Sequence, residues 1–448
     1  MAYTNTPELE ISTSQDNPNI QNVFDNLPMN KRNYKYNLCK IIDENTNNAK
    51  SSQFVDNVHM SPFDRPTNIY FTDSLDSLKS IKNTPLKGWA SCKSNVCLRE
   101  GLTYFEFQIK HIDWSKNCNA RLGLSQRSFP LGQPVGSDLH NSIGIRDMTF
   151  ERIFNRKRDD FINNDTTEKL MKEGDSIGFL VNLPSLENQY KQIQVVINQM
   201  IEKESDEFEL FHLNRYLKDL ENIYLNKKSI QKERILIRYK NETYYESQDY
   251  VRNETLKTED YLKLDGSFIK VFQNGEYRGD LTNDEDKALT NFLPPFTTVN
   301  YETTRYKQIY NRLVKMDNME NIDILIPRKY YDDGSLGYYP TISLFNDTIV
   351  ELNGTLDDMK YYSDVKKYIL TDDSVLNKEI NSLEDVYQQA KNQDIEYDIV
   401  EFEKKKKELE KLQVSQEESK NDQSLPIKEE HSTLDFIQQE SNDIEMEM

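Results

Sequence analysis

The chain has 448 residues, a formal net charge of −20 at pH 7 and a hydrophobic content of only 36%. This acidity argues against a body that binds nucleic acid, because such binding needs clustered Lys and Arg side chains facing phosphates, and it favours basic patches or basic proteins as partners. The low hydrophobic content predicts that much of the chain forms tails and insertions around a smaller core.

No feature of the sequence indicates export or membrane insertion. The first ten residues, MAYTNTPELE, lack the basic and apolar regions of a signal peptide. No apolar run reaches the roughly 18 residues of a membrane span. The cysteines show neither a CxxC motif nor a disulfide framework, which is typical of a reducing compartment, and we interpret them as ordinary small residues: Cys39, Cys92, Cys97 and Cys118. We therefore expect a soluble intracellular protein.

The first strand follows a polar N-terminal arm. Residues 1–65 are rich in Asn, Ser and Thr and show little periodicity, which predicts a mostly disordered arm. From residue 66 to residue 375 we expect the folded domain. In LTYFEFQI, Phe105, Phe107 and Ile109 alternate with Tyr104, Glu106 and Gln108. Such a period of two, with one apolar face, predicts a half-buried strand.

Further strands are predicted before a helical insertion. ARLGLSQ and DSIGFLVNLP are typical of short strands, and KQIQVVI (Lys191 to Ile197) is interpreted as the hairpin partner of the second. Residues 199–233 then show helical spacing at four leucines, Leu210, Leu213, Leu217 and Leu220. We interpret this segment as an insertion of helical structure.

Strand patterns return after this insertion. RILIRY predicts one strand, and the Asn274-Gly275 pair inside SFIKVFQNGEYRGD is the strongest short-range hairpin signal in the chain. A second insertion, residues 283–335, is polar and irregular, and YYPTISLF and TIVELNG are the last predicted strands. Without a repeat of fixed period, a propeller or solenoid is disfavoured. The sequence predicts an all-β chain, an antiparallel β-sandwich interrupted twice.

The C-terminal part is predicted to be a short helix and a tail. Ser382 and the three residues after it fit a capping box. The apolar residues that follow lie at i, i+3, i+4 and i+7 on one face of an amphipathic helix over residues 381–400: Leu383, Val386, Tyr387 and Ala390. Residues 401–448 hold 14 acidic and 7 basic residues and are interpreted as an acidic disordered tail.

The sequence offers no constellation for catalysis. The histidines are scattered, without an HExxH or Cys–His zinc pattern: His59, His111, His140, His212 and His431. No GxSxG elbow or nucleophilic cysteine context is present. His140 could act as a base, but without a partner motif a loop histidine in contact with water or backbone is the better interpretation. We expect no enzyme activity, no cofactor and no metal.

One stretch, residues 121–147, holds four of the 14 glycines. Neither nucleotide-binding glycine pattern is present, so we interpret these glycines, with Pro130 and Pro134, as formers of tight loops. Arg121 and Arg146 lie near its ends and, if brought together, would form a fork for a carboxylate or phosphate. Residue types alone leave this binding role and ion pairs with the chain's own acidic residues equally open.

A set of segments resembles the SPRY (B30.2-like) domain of Ash-two/Bre-two subunits of COMPASS-type (Set-one/MLL-type) histone methyltransferase complexes. The matching text is KGWASCKSNVCLREGLTYFEF, RLGLSQ with PLGQPVG and NSIGIRD, GDSIGFLVNLP, RILIRYKNETYYESQDYV, FIKVFQNGEYRGD and YYPTISLFNDTIVELNG. The segments run in order from Lys87 to Gly354, with both insertions between them. RLG alone fits many SPRY domains, whereas the ordered set is specific. Fungal Bre-two-like members with a long N-terminal arm are the most similar type, since no PHD-like or winged-helix module is visible.

The resemblance implies a pocket. In this family the SPRY domain grips a segment, acidic and then apolar, of the β-propeller subunit (RbBP-five/Swd-one-like). The family's pocket residues fall here on Trp89, Arg121, Pro134, Ser137 and Arg146, with Lys93 as another basic residue on the Trp89 strand. Ser137 stands where the family has a tyrosine, so the ring contact is missing or comes from another residue such as Phe129.

The resemblance also implies a partner for the C-terminal helix. Family members end in an amphipathic helix that lies in the groove of a DPY-thirty/Sdc-one-like dimer, here with Leu383, Val386, Tyr387 and Ala390 as the contacts. The alternatives are a helix that packs back on its own domain and a solvated linker. An apolar face this short would barely fold alone, which favours the groove.

The function that the resemblance implies is a non-catalytic scaffold in a nuclear histone H3 lysine 4 methyltransferase complex. It would stimulate the SET-domain subunit and act in transcription regulation and telomeric silencing, away from membranes. The basic clusters, among them Arg156–Arg158, stay open between nuclear import, contact with nucleosomal DNA and plain solvation. The alternative is another SPRY adaptor, such as a substrate receptor of a ubiquitin ligase, although no RING, B-box or SOCS-type segment is visible.

Overall fold

The computed structural model describes residues 37–38, 57–225, 234–247, 264–282, 303–319 and 337–421, with short gaps at 63, 67, 75–76, 127–128, 138–141, 163–169, 240–241, 318, 371 and 373–377. The strands in chain order are β1 (Asn37–Leu38), β2 (Ile69–Phe71), β3 (Ser80–Asn83), β4 (Ala90–Lys93), β5 (Gly101–His111), β6 (Asn119–Ser125), β7 (Ser142–Arg146), β8 (Arg152–Phe154), β9 (Lys157–Asp159), β10 (Ser176–Leu183), β11 (Arg234–Tyr239), β12 (Glu242–Ser247), β13 (Phe268–Gln273), β14 (Glu276–Asp280), β15 (Tyr339–Phe345), β16 (Ile349–Asn353) and β17 (Ile380–Asn381). The helices are α1 (Leu186–Lys203), α2 (Glu207–Leu225), α3 (Thr303–Lys315), α4 (Tyr362–Ile369) and α5 (Leu383–Asn421).

Two sheets form the body of the domain. The larger has eight strands in the order β14-β13-β10-β5-β16-β3-β2, with β17 added beside the start of β5, and the smaller has six in the order β4-β15-β6-β7-β8-β9. Their pairs are antiparallel except that of β17 with β5. Strands β1, β12 and β11 form a separate three-stranded sheet. The predicted antiparallel β-sandwich is confirmed.

Apolar side chains of the two large sheets meet in one core. Phe105, Phe107 and Phe179 of the eight-stranded sheet share it with Leu122 and Ile342 of the six-stranded sheet. The rings of Phe105 and Phe179 stack at 5.7 Å between centroids. Burial of such rings is the main favourable contribution to the folding of this sandwich.

Strand β5 is buried on both faces, whereas the alternation predicted a half-buried strand. Tyr104 and Glu106 point away from the core between the sheets and are nevertheless buried. Helix α4 covers them, because Val365 and Ile369 pack with Tyr104 in a second apolar cluster. The sequence of β5 contains no signal of this helix, which lies more than 250 residues further along the chain.

The Asn274-Gly275 hairpin is present as predicted. Strands β13 and β14 pair across these two residues, whose φ angles are +52° and +84°. Two consecutive positive φ angles are those of a type I′ turn, whose twist matches that of the flanking strands.

The first insertion is helical from Leu186, and the prediction of a strand at Lys191–Ile197 is wrong. Ser185 caps α1 by accepting a hydrogen bond from the N–H of Asn188. Leu186, Tyr190, Ile193 and Ile197 are buried at helical spacing, whereas Val195 is 57% exposed. In this short segment the apolar residues fit a strand and a helix equally well, and the packing of α1 on the core selects the helix. Helix α2 follows, in the predicted region.

A helix also occurs within the second insertion, which the sequence analysis described as irregular. Helix α3 packs on α2 through Tyr310, whose ring lies 5.4 Å from that of Phe208 and 5.0 Å from that of Phe211. Lys307 of α3 pairs with Asp206 at 2.5 Å. Residues 283–302 and 320–336 of this insertion lie outside the described residues.

The folded region extends beyond both predicted ends. Val58 and Met60, within the predicted arm, are buried in the core, and Met60 forms a β-bridge with Ser94. At the other end α5 continues to Asn421, past the expected end of the helix at residue 400. The predicted capping box is present, with the Ser382 N–H donating to Asp385 Oδ2 at 2.7 Å and Ser382 Oγ accepting from the Asp385 N–H at 3.1 Å. Residues 1–36 and 422–448 lie outside the described residues.

Candidate partner-binding site

The register of the six-stranded sheet places the two arginines side by side. Arg121 of β6 lies directly opposite Arg146 of β7, and Ser343 of β15 lies opposite Arg121 on its other side. Neighbouring positions on these strands, such as Leu122 and Ile145, are buried in the core. Because side chains alternate along a strand, Arg121 and Arg146 project from the outer face of the sheet.

An aromatic ring completes this arrangement. Trp89 directly precedes β4, and its ring lies 5.1 Å from the Arg121 guanidinium carbon and 5.4 Å from the ring of Phe345. A guanidinium over an indole face is held by the quadrupole of the ring. The structure therefore brings Trp89, Arg121 and Arg146 together, and it adds Phe345, which the sequence analysis missed because only the pairing of β15 with β4 and β6 reveals it. We call these four residues the Trp–Arg site.

The glycine-rich stretch crosses the outer face of the sheet beside the Trp–Arg site. The Val135 N–H donates to Ser343 Oγ at 2.9 Å, and Arg121 Nη1 donates to the Val135 carbonyl at 3.3 Å. A Cβ at Gly144 would lie 2.6 Å from Val135 Cγ1, and one at Gly136 would lie 2.4 Å from the Ile153 carbonyl oxygen. These glycines let the loop approach the sheet closely, so that it forms one wall of the site.

The loop places Pro134 and Ser137 beside this wall. Both are half-buried, and Ser137 Oγ donates to the Pro134 carbonyl at 2.5 Å. Phe129, suggested as a substitute for the family tyrosine, is fully buried and presents no ring at the surface. That suggestion is wrong, because a fully buried ring offers no surface to a partner. His140 lies outside the described residues.

Lys93 does not join the Trp–Arg site. It lies opposite Thr341, which in turn pairs with Gly123, two residues along β6 from Arg121. Its side chain is 1% exposed, and its ammonium group lies 6.0 Å from the ring of Tyr339. The resemblance placed Lys93 on the correct strand, but the structure encloses it.

The two arginines differ in their ion pairs. Arg146 pairs with Glu151 at 3.3 Å, so an ion pair within the chain is present there. Arg121 has no ion pair among the described residues, and its Nε has no hydrogen-bond partner among them. Burial, followed by the charges of Arg146 and Arg158, lowers the pKa of Arg121 to about 10. Arg121 therefore stays charged at neutral pH without an ion pair among the described residues, and such a group is suited to binding an anion.

The predicted contacts of the C-terminal helix are largely used by the domain itself. Leu383 is fully buried beside Gly354, and Val386 and Tyr387 pack against the same core. Packing of this helix start on its own domain, one of the two alternatives, is what the structure shows. Ala390 is half-buried.

Further along α5 the apolar residues are exposed. Ile399 and Phe402 lie one turn apart, Leu409 lies two turns after Phe402 on the same side, and Phe402 is 71% exposed. We call Ile399, Phe402 and Leu409 the open apolar face of α5. The sequence signal was available in the spacing of these residues, but the high charge of the segment led to the prediction of a tail.

The described part of the chain holds neither a candidate metal site nor a candidate membrane span. Among these residues no group of three or more His, Cys, Asp and Glu side chains could hold a metal ion. Over the same residues, no helix combines the length and apolar character needed to cross a membrane.

Comparison with known proteins gives the following relatives. The chain is 25% identical to the COMPASS component BRE2 of Saccharomyces cerevisiae, over 88% of this chain and 92% of that protein. It is 26% identical to the Set1 complex component ash2 of Schizosaccharomyces pombe, over 78% of this chain and 43% of that protein. The chain is a homologue of these Bre2/Ash2 components. The predicted resemblance is confirmed.

Other relatives extend this set across the fungi. The COMPASS component cclA of Colletotrichum higginsianum is 26% identical over 66% of this chain and 49% of its own length. The chain thus spans nearly all of BRE2 but less than half of ash2 and cclA. No family model matches the sequence.

Two of the solved structures found by comparison are SPRY domains. A human SPRY domain aligns with a TM-score of 0.27 at 10% identity, covering 61% of this chain and 91% of that domain. The SPRY domain of human HERC1 aligns with a TM-score of 0.29 at 8% identity, covering 66% of this chain and 96% of that domain. The fold of this chain is described by its own strand order.

Proposed function

We propose that the protein is a regulatory, non-catalytic subunit of a COMPASS-type histone H3 lysine 4 methyltransferase complex and acts in the nucleus. The observation that carries this proposal is the likeness to BRE2, itself named a COMPASS component, along 88% of this chain and 92% of BRE2. Two further relatives support the proposal by their names: ash2 is named a Set1 complex component and cclA a COMPASS component.

Within such a complex, the Trp–Arg site is the proposed contact for an acidic segment of the β-propeller subunit. Arg121 is charged, partly buried and without an ion pair among the described residues, so a carboxylate of the partner would gain a charge-assisted hydrogen bond in a desolvated place. The exposed sides of Trp89 and Phe345 supply apolar area next to that charge. Aromatic and arginine side chains in such surroundings dominate the binding energy of protein interfaces.

We place the proposed contact with a DPY-thirty/Sdc-one-like dimer on the open apolar face of α5 instead of on Leu383, Val386 and Tyr387. The latter residues stabilise the domain, whereas Ile399, Phe402 and Leu409 are exposed to solvent. A helix that presents such residues on one side fits an apolar groove.

The proposed regulatory effect requires no chemistry from this chain. Methyl transfer needs cofactor and lysine aligned, and a mobile SET domain is aligned only part of the time. A subunit that binds the aligned arrangement more tightly shifts the population towards it, and a difference of about 1.4 kcal/mol changes the equilibrium tenfold. The protein alone should therefore show no methyltransferase activity, while its addition to SET and propeller subunits should raise turnover several-fold.

Reconstitution on a histone H3 peptide tests this function. We expect the wild-type chain to stimulate turnover and the Trp89→Ala/Arg146→Ala double variant not to do so, with Lys366→Ala, an exposed residue of α4, as the matched control. Equal stimulation by wild type and double variant would reject the Trp–Arg site. Purification of the tagged protein from cells should yield SET-domain, propeller and DPY-thirty-like proteins, and a cullin or RING ligase in their place would reject the COMPASS role.

A further inference from the structure

Glu151 continues a row of side chains that crosses the six-stranded sheet through the Trp–Arg site. Arg121 and Arg146 lie opposite each other on β6 and β7. Ile145 of β7 pairs with Arg152 of β8. The next residue of β7, Arg146, donates its N–H to the Glu151 carbonyl at 3.0 Å, so Glu151 lies opposite Arg146. Because side chains of directly opposed residues share a face, Glu151 lies on the same outer face as the two arginines.

The ion pair between Glu151 and Arg146 is weak by its geometry. It joins one guanidinium nitrogen, Arg146 Nη1, to one carboxylate oxygen, Glu151 Oε2, at 3.3 Å. A charge-assisted hydrogen bond between such groups is normally about 2.7–2.9 Å long, and the strongest arginine–carboxylate pairs form two parallel bonds. The same oxygen accepts a shorter hydrogen bond, of 2.6 Å, from Thr149 Oγ1. The Glu151 carboxylate can therefore leave Arg146 and keep its bond to Thr149.

The Arg146 guanidinium has hydrogen-bonding capacity left for a ligand. A guanidinium carries five N–H donors, and Glu151 accepts from only one of its nitrogens. Among the described residues this guanidinium has no other hydrogen-bond partner. The side chains of Arg146 and Glu151 are 21% and 32% exposed, so both reach the surface. An anion that offers Arg146 two well-aligned bonds would therefore bind it better than Glu151 does.

Glu151 also offsets part of the positive charge of the Trp–Arg site. Burial, and after it the charge of Arg146, lowers the pKa of Arg121, which shows that the two guanidinium groups repel each other. The Glu151 carboxylate supplies to Arg146 the negative charge that a partner would otherwise supply. Among the described residues the free protein thus holds Arg121 without an ion pair and Arg146 in a pair with its own carboxylate.

We propose that Glu151 is an internal competitor for the Trp–Arg site. Its carboxylate occupies Arg146 in the free protein, and an anionic partner displaces it on binding. An interaction that exists only in the free protein subtracts from the free energy of binding, so Glu151 limits the affinity of the site and keeps the contact reversible. This inference rests on the proposed function of the Trp–Arg site and concerns the regulation of that site.

Calorimetric titration of the full chain with synthetic peptides tests this role. The probes are a peptide with several Asp and Glu residues and the same peptide with these changed to Asn and Gln. Glutamine keeps the size of the side chain and still accepts from Thr149, but it carries no charge. At low ionic strength we expect Glu151→Gln to bind the acidic peptide about three- to tenfold more tightly than wild type and the neutral peptide equally. Glu351→Gln removes a similarly paired glutamate from the other sheet and should bind both peptides like wild type.

The Arg146→Ala background separates displacement from a general effect of charge. Alanine removes the group that Glu151 is proposed to occupy, so Glu151→Gln should add no affinity to the Arg146→Ala variant. A gain that persists in full in this background would mean that Glu151 acts by general repulsion of anions, and it would overturn the inference. A role confined to stabilising the turn between β7 and β8 predicts equal or weaker binding by Glu151→Gln, which would overturn it as well.

The outcomes separate this inference from the proposed function. If Arg121→Ala weakens binding of the acidic peptide and Glu151→Gln does not strengthen it, Glu151 is no competitor and the Trp–Arg site stands. If neither Arg121→Ala nor Arg146→Ala weakens binding, or wild type does not bind the acidic peptide, both proposals fall. Tighter binding by Glu151→Gln that disappears in the Arg146→Ala background supports both.

Discussion

The outer face of each large sheet holds an ionisable side chain away from bulk water, Glu106 on the eight-stranded sheet and Arg121 on the six-stranded sheet. The two side chains differ in the hydrogen bonds that they make. On the eight-stranded sheet Glu106 is fully buried and accepts hydrogen bonds from the hydroxyls of Tyr104 and Ser176 at 3.0 and 2.6 Å and from the N–H groups of Lys360 and Tyr361 at 3.1 and 2.8 Å. On the six-stranded sheet Arg121 donates one hydrogen bond, to the Val135 carbonyl, and lies over one ring, that of Trp89, among the described residues.

The difference separates a charged group that supports the fold from one that we propose binds a partner. The four donors around Glu106 include the two main-chain N–H groups just before α4, so this carboxylate anchors the helix that covers the face. No helix of the described residues covers Arg121 in this way, and its Nε is unsatisfied among them. A buried ionisable group whose hydrogen bonds are all made within the domain supports the fold. A group with an unsatisfied donor can instead bind a partner.

Glu106→Ala gives the largest effect expected on this comparison. It leaves four donors without an acceptor inside the domain and releases the start of α4, so we expect a loss of about 3–5 kcal/mol in the free energy of unfolding. Chemical denaturation measures this loss. Glu351→Ala, a partly exposed glutamate on β16 of the same sheet, is the control and should cost under about 1 kcal/mol. Equal effects of the two variants would remove the structural role assigned to Glu106.

Helix α5 allows the same distinction to be made with apolar residues. Leu383→Ala empties a fully buried position and should cost about 2–5 kcal/mol in unfolding free energy. Phe402→Ala, at an exposed position, should change stability by less than about 0.5 kcal/mol and abolish binding of a DPY-thirty-like dimer. Denaturation and a pull-down measure the two effects. Dimer binding that survives Phe402→Ala and Ile399→Ala together would contradict the assignment of the open apolar face.

Arg121→Ala should affect binding and spare the fold. We expect affinity for an acidic propeller-derived peptide to fall by about 1.5–3 kcal/mol, the range of a charge-assisted hydrogen bond in a desolvated pocket. Calorimetric titration measures the affinity, and Lys366→Ala is the matched control. Stability should barely change, since Arg121 loses only one carbonyl contact and one ring contact. A collapse of the melting temperature, or an unchanged affinity, would reject the site.

Asp147 gives the smallest expected effect and a pH dependence. It accepts hydrogen bonds from the N–H groups of Ala120 at 2.5 Å and Met148 at 2.8 Å, but burial outweighs these and raises its pKa from 3.8 to about 6. The native state therefore binds the Asp147 proton more tightly than the unfolded state does, so this carboxyl reduces stability as the pH rises from about 4 to about 6.

Comparison with Asp147→Asn isolates this contribution. The unfolding free energy of wild type minus that of the variant should be about 1–2 kcal/mol larger at pH 4 than at pH 7, so that wild type gains relative stability at the lower pH. Denaturant unfolding at both pH values measures the difference. A difference of opposite sign would show that the hydrogen bonds to the Asp147 carboxylate outweigh the effect of its burial.

Several elements were predictable because their signals are local. The strand at Leu102–Ile109 and the Asn274-Gly275 hairpin follow from alternation and turn chemistry, which neighbouring residues determine. The capping box at Ser382 is local in the same sense. Even without structure, the ordered segments of the SPRY-like text pointed to Trp89, Arg121 and Arg146.

Three of the errors share one cause, which is burial by a distant part of the chain. The sequence of Lys191–Ile197 is compatible with a strand, but the packing of α1 on the core makes it a helix. The second face of β5 is polar in sequence and buried by α4. The sequence of Leu383 and its neighbours predicts a helix that binds a partner's groove. In the structure these residues pack against the domain itself.

The sequence by itself determined that this protein is a β-sandwich with long insertions, that it resembles one family, and that Arg121 and Arg146 flank a glycine-rich loop. Only the tertiary structure decided that these arginines lie opposite each other, that Arg121 lies over the ring of Trp89, and that Lys93 is enclosed. The physical reason is that strand register and coverage are set by pairing and packing between segments far apart in the chain. Local propensity can predict a strand. It cannot predict which charged residues of other strands will lie on the same face of the sheet.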